Sequence, residues 1–295
     1  MFRKNKKKYA VFTMDVETFM DTDCIRAAGI TPDTDMLDGF DTYISLLNKY
    51  DIKSTLFTVG DLVPKIFDRL NRCIHQGHRL ALHSYEHIAP MDTPLQEFKT
   101  RTRAAKEQLS ELFGVDVQGY RAPCFSIDKE RLNILKELGF RYDSSHLGFQ
   151  KARHVVDLDL TGFHQLRKGI HRQDDFYEFE LVKGSLFGFP LPISGGGYVR
   201  IAKWDVMKWM IKHYLRHSDY YVFYLHPFEL TKEKVPNLKE LNAFENFYIS
   251  NGIRSYAKKV EYIIQLLIFL GYEFVTFEEL TQIMQQEHDG SLLHP

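Results

Sequence analysis

Short apolar runs alternate with helical periodicity through the first half of the chain. Residues 9–14 read as a buried strand, Phe40, Ile44 and Leu47 share one helical face, and residues 54–59 form a second strand. Leu62, Ile66, Leu70 and Ile74 mark a helix stopped by Gly77, Arg79–Leu82 is a strand, and Leu95–Phe113 is a long helix stopped by Gly114. Residues 115–120, a helix over 128–138 stopped by Gly139, and residues 140–142 continue the series. From 151 to 192 the rhythm breaks, and this segment is expected to be an excursion of strands and loops beside the main body. A helix over 203–213, strand Tyr220–Leu225, a helix over 255–270, a strand over 272–276 and a closing helix from Glu278 follow, with 287–295 expected to fray. Such alternation predicts an α/β architecture with a parallel sheet and outer helices, either a barrel or a doubly wound sheet, in one domain over 1–295.

Composition narrows the class. At 44% hydrophobic and 14% aromatic residues the chain builds a large core, which excludes a disordered protein. The 38 Lys and Arg against 39 Asp and Glu leave a net charge of −1, so no global field favours nucleic acid. Cys24, Cys73 and Cys124 are odd in number and widely spaced, which suggests neither a disulfide framework nor a thiolate zinc site. The basic start, residues 1–8, resembles the front of a signal peptide, but the apolar stretch behind it ends at Asp15, and the later apolar run over 262–270 is far short of the ~20 residues a membrane span needs. The expectation is a cytoplasmic protein whose basic tail touches anionic membrane surfaces weakly through residues 4–8.

Four polar clusters each follow a predicted strand, at the end where parallel α/β folds gather their active sites. Asp15 and Glu17, two apart on leaving a strand, face one side, and such a carboxylate pair requires a cation or a shared proton unless it is merely a solvated loop. His83 and His87, four apart, converge on one metal if the stretch turns helically, and imidazole suits zinc, cobalt, nickel or iron. The segment is not an HExxH motif, because Ser84 follows the first histidine. Arg121, ahead of Pro123, is suited to clamp a carboxylate and keep it ionised. Cys124 invites a nucleophile reading, but no histidine neighbours it and packing is the simpler role. His226, after the very apolar strand 220–224, is either a proton donor or a hydrogen-bonded structural histidine. Residues 192–198 offer either a connecting loop or a cleft wall, with Gly196 allowing close backbone approach and Tyr198 stacking on a ligand ring.

Taken in order, Asp-x-Glu, His-Ser-x-x-His, Arg-Ala-Pro, Tyr-Asp-Ser-Ser and Leu-His-Pro resemble the polysaccharide deacetylase family, carbohydrate esterase family four, over residues 12–227. That resemblance implies an irregular (β/α)7 barrel removing acetyl groups from N-acetylated sugars or oligosaccharides. It implies a divalent metal, zinc first, on Glu17, His83 and His87, with Asp15 as general base, Arg121 orienting it and His226 as general acid. Asp143 would help set the charge of a neighbouring catalytic group, and the Cys124 N–H would stabilise an oxyanion. The first motif departs from the commoner pair of adjacent aspartates followed by glycine: Val16 intervenes and Glu17 replaces the second carboxylate, as in a subset of the family. A metal-free, allantoinase-like cyclic amide hydrolase and an inactive carbohydrate-binding member of the fold are the competing expectations.

Overall fold

The computed structural model describes residues 6–148, 158–186 and 188–293, with side chains to residue 288. Its strands are β1 (Lys8–Val16), β2 (Ser54–Thr58), β3 (Arg79–Leu82), β4 (Gly119–Tyr120), β5 (Tyr142–Asp143), β6 (His164–Arg167), β7 (Ile170–Gln173), β8 (Phe176–Phe179), β9 (Lys183–Leu186), β10 (Phe189–Pro192), β11 (Tyr220–Leu225) and β12 (Tyr272–Phe274). In the order β11-β1-β2-β3-β4-β5-β8, neighbours all pair in parallel, giving the seven staves of a (β/α)7-type barrel. β12 lies parallel to the first half of β1, through Lys8↔Tyr272, on ground that β2 leaves free.

The gap between β8 and β11 is closed without a strand of its own. Ile193 N–H donates to the Val182 carbonyl, and Tyr224 N–H donates to Ser194 at 2.7 Å, so residues 193–195 bridge the two edges. Gly195 is required there: its φ is +124°, and a Cβ would lie 1.9 Å from the Tyr224 carbonyl oxygen. The excursion over 151–192 contributes β8 itself, the antiparallel β6–β7 pair beyond it and the separate β9–β10 hairpin, while residues 149–157 and 187 lie outside the description.

Alternation fills the barrel with large side chains. The rings of Phe57, Tyr142 and Phe179 surround Phe277, with Phe179 stacked on it at 4.6 Å, and the Arg121 guanidinium lies 4.1 Å above the Phe57 ring. The long helices, among them Asp38–Asn48, Val63–His75, Leu95–Phe113, Trp204–Arg216 and Ile253–Phe269, pack apolar faces around the staves. Gly77, Gly114 and Gly139 adopt positive φ after their helices, the left-handed stop the sequence indicates.

The expected fraying from residue 287 does not occur through Leu293. The helix Phe277–Leu293 continues, and Arg167 grips both oxygens of Glu287 at 2.7 and 2.6 Å. At the other end, Lys7 pairs with Glu273 at 3.1 Å and Lys8 opens β1, whereas residues 1–5 of the basic tail lie outside the description. Among the described residues no helix is long and apolar enough to cross a membrane.

One buried histidine gives the fold a pH-dependent stability. His78 accepts the Ser54 N–H through Nδ1, and burial, with Lys53 nearby, pushes its pKa down to about 4. The unfolded imidazole takes a proton below about 6.5 while the folded one stays neutral, so this contribution is complete above pH 6.5 and is lost as pH falls towards 4. Relative to a His78→Asn variant, the native chain should lose roughly 3 kcal/mol between pH 7 and pH 4. Urea unfolding midpoints of both proteins at the two pH values read this directly, and parallel pH dependences would refute it.

Candidate active site and metal centre

Every polar cluster singled out in the sequence sits at the C-terminal end of its strand. Asp15 is the penultimate residue of β1 and Glu17 follows it; His83 follows β3, Arg121 follows β4, Asp143 ends β5 and His226 follows β11. Asp15, Glu17, His83, His87 and Arg121 are all buried. Asp15, Glu17, His83 and His87 line, together with His226, a chamber of about 720 Å³.

Three side chains converge on one point. Glu17 Oε2 lies 2.8 Å from His87 Nε2 and 3.6 Å from His83 Nε2, and one donor atom from each residue falls within 4.8 Å of the others. Among the described residues this is the cluster that offers such a set. His83 Nδ1 donates to the Arg121 carbonyl at 2.7 Å, which leaves its Nε2 unprotonated towards Glu17 when the ring is neutral. Ser84, between strand and cluster, takes a φ of +66°, turning the chain so that both imidazoles meet. Burial alone would raise the Glu17 carboxyl, but the imidazoles of His87, His226 and His83 hold it well below the usual carboxylate range. Two imidazole nitrogens and an ionised oxygen form a donor set that fits a zinc-like divalent cation.

Asp15 stands beside this set. Arg121 Nη1 donates to Asp15 Oδ1 at 2.6 Å, and the same guanidinium is fixed by Thr13 Oγ1, the Ser144 carbonyl and Ser144 Oγ. The other Asp15 oxygen, Oδ2, lies 4.0 Å from His226 Nε2, which is also 3.9 Å from Glu17 Oε1. Burial pushes the His226 imidazole down, yet Glu17, Glu229 and Asp15 together raise its pKa to about 10, so it is protonated at neutral pH.

The residue that orients His226 was not singled out in the sequence. Glu229 Oε2 accepts from His226 Nδ1 at 3.1 Å and from the His226 backbone N–H, closing the turn that Pro227 begins. Its other oxygen accepts from Arg200 Nε at 2.9 Å, and Arg200 also donates to the carbonyls of Asn251 and Tyr248. The His-Pro-x-Glu spacing carries the signal for Glu229, since a carboxylate three residues after a turn-opening residue is a capping pattern. Nothing in the spacing links Arg200 to Glu229, which lies 29 residues away.

Asp143 is buried beside Glu178, its register partner on β8, and accepts from the Ser145 N–H and Oγ, within reach of the Arg121 charge. Burial raises Asp143 to about 6 and, with the Asp143 charge added, lifts Glu178 well above the usual carboxylate range, so the two carboxyl groups share a proton behind the site. Gly196 is buried against the Tyr224 hydroxyl, 2.7 Å from where its Cβ would be, and the chamber wall passes instead through Gly197 and the half-exposed Tyr198. Cys124 lines the chamber with φ +55° and donates its thiol to Asp23 Oδ1 at 2.9 Å, and burial pushes that thiol well up, which opposes thiolate chemistry.

The described residues thus form a parallel barrel that carries a histidine–histidine–carboxylate set at the C-terminal ends of its strands. Residues 21–142 match the family model described as polysaccharide deacetylase, and residues 154–281 match a domain of unknown function (DUF3473). The polysaccharide deacetylase match thus spans about two fifths of the chain. It is 24% identical over 107 residues to a peptidoglycan deacetylase of Helicobacter pylori, covering 36% of each chain. An uncharacterized 30.6 kDa protein of Geobacillus stearothermophilus is 27% identical over 99 residues, which cover 33% of this chain and 37% of that one. The chain thus aligns with little more than a third of the length of these curated relatives.

Among solved structures, a protein described as a polysaccharide deacetylase from Mycobacterium smegmatis superposes with a TM-score of 0.63 at 17% identity, covering 97% of this chain and 94% of that one. A family 4 acetyl xylan esterase from Clostridium thermocellum, in complex with a cobalt ion, superposes at 0.50 with 14% identity over 94% and 91%. A pseudoenzyme of the same esterase family from Bacillus anthracis superposes at 0.53 with 12% identity over 94% and 66%. These likenesses are likenesses of fold.

Proposed function

We propose that the protein is a metal-dependent N-deacetylase acting on an N-acetylated amino sugar. The observation that carries this reading is the convergence of Glu17, His83 and His87 between an arginine-held Asp15 and a glutamate-held His226. A divalent cation on those three residues supplies Lewis acidity, lowering the pKa of water from 15.7 to about 7 and polarising an acyl oxygen. Asp15, with one oxygen tied to Arg121 and the other free towards the chamber, takes the proton of the attacking water. His226, protonated and fixed through Nδ1 by Glu229, presents Nε2–H to the departing sugar nitrogen. Base and acid so serve opposite sides of one tetrahedral carbon, the attacking water oxygen and the departing nitrogen, and acetate and a free amine leave.

Metal analysis tests the core of the reading. The purified protein should hold about one divalent ion per chain, lose acetate release from N-acetylglucosamine oligosaccharides on treatment with a strong chelator, and regain it with zinc or cobalt. His83→Ala and His87→Ala should lose the ion. Chelator-resistant turnover of a cyclic amide would overturn the proposal in favour of a metal-free amidohydrolase.

A further inference from the structure

The catalytic groups occupy only one part of the chamber. Elsewhere its wall is apolar, formed by Phe125, Leu147, Pro192, Ile201, Phe244 and Phe247. Phe244 and Phe247, on the helix Ala243–Ser250, are 74% and 47% exposed, so the apolar wall runs out to the surface instead of ending inside. Large aromatic side chains left in water beside a cavity mark a surface that an apolar group covers. Among the described lining residues there is no lysine or arginine, whereas Asp21, Asp23 and Glu245 line it in addition to Asp15 and Glu17. A diphosphate brought against the outer part of this chamber would meet Asp21, Asp23 and Glu245 with no lysine or arginine among the described lining residues to answer it, which works against a nucleotide-linked sugar.

We propose that the chamber takes an uncharged N-acylated amino sugar bearing a hydrocarbon chain, and that Phe244 and Phe247 receive the chain at the mouth. This rests on the deacetylase reading and names its substrate class. The chain is carried either on the anomeric oxygen of the sugar or in the acyl group, and the two sources share the same recognition by apolar contact. The reaction is unchanged: water adds to the acyl carbon, the C–N bond breaks, the carboxylate takes the water oxygen and the amine takes the proton.

The test uses the metal-loaded protein and four probes held below their micelle concentrations: the methyl and octyl glycosides of N-acetylglucosamine, methyl N-octanoylglucosaminide, and UDP-N-acetylglucosamine. A tetrasaccharide of N-acetylglucosamine serves as the reference, and binding is measured by calorimetry beside turnover. The octyl glycoside or the octanoyl amide should have a KM about tenfold or more below its short-chain counterpart, according to which end carries the chain. The nucleotide sugar should be the poorest substrate. In a Phe244→Ser/Phe247→Ser double variant, whose altered side chains are exposed, the ratio of long-chain to short-chain KM should fall towards one.

If the tetrasaccharide is deacetylated and neither chain lowers KM, or the nucleotide sugar is preferred, the chain-binding assignment is overturned and the deacetylase reading stands. If long chains tighten binding but no probe is hydrolysed, the chamber is as proposed and the deacetylase reading fails. If chain length changes neither binding nor turnover and nothing is hydrolysed, both are overturned.

Discussion

Asp15→Asn should lower kcat on an N-acetylated amino sugar about 10²–10⁴-fold while leaving KM and metal content close to those of the native protein. The amide keeps an oxygen to accept from Arg121 Nη1, at 2.6 Å in the native pair, so the guanidinium keeps its place beneath the site. What is lost is the proton acceptor: the second oxygen, which faces His226 Nε2 at 4.0 Å, becomes an NH₂ group. A fall of comparable size is expected for His226→Ala, since base and acid serve the same tetrahedral centre and their losses are not additive. Near-native kcat in either variant would refute the assignment.

The second large effect concerns stability. Arg200 and Glu229 are both buried, and their ion pair at 2.9 Å is shielded from water on every side. Replacing Arg200 by Leu removes one partner of a buried pair and leaves the Glu229 carboxylate answered by His226 alone, a change that costs about 3–5 kcal/mol. It also removes the donors to Tyr248 and Asn251, which tie the segment Gly196–Ile201 to the helix that carries Phe244 and Phe247. Urea unfolding monitored by tryptophan fluorescence measures the loss, and a change under about 1 kcal/mol would show that the pair is not the clamp described. Arg200→Lys should recover only part, because an ammonium cannot reach Glu229 and two carbonyls in the fixed fork of a guanidinium.

Strand-and-helix alternation was legible because β1, β3 and β11 are built on apolar runs and β2 carries Leu56 and Phe57 among buried hydroxyl residues, as parallel strands buried on both faces must be. The glycine stops after the helices were equally plain. The runs at 115–120 and 140–142 were recognised as strands, yet pairing in β4 and β5 is confined to Gly119–Tyr120 and Tyr142–Asp143, a limit set by neighbouring staves and invisible in a single segment. Asp15, Glu17, His83 and Arg121 come together because each immediately precedes or follows a strand end, which pattern alone locates, and the turn at Ser84 brings His87 back to them. Glu229 was within reach of a spacing argument. Arg200, Glu178 and the Phe244–Phe247 edge were not, because their roles arise from three-dimensional neighbours on segments with no shared period. Asp143 shows the converse: its motif was visible, but its partner on β8 belongs to the excursion that periodicity could not resolve.

Phe277 closes the floor of the barrel, and β12 just before it pairs with the first half of β1. The first half of the earliest stave, paired on one edge by β11, therefore waits for a partner more than 250 residues downstream, Lys8 with Tyr272, before its second edge is filled. Contacts of such long range make folding slow and leave a half-built sheet with an exposed, aggregation-prone edge in the meantime. A nascent chain that has not yet released Phe277 holds Asp15, Glu17, His83, His87 and His226 and still lacks the ring that packs against Phe57, Tyr142 and Phe179 inside the staves.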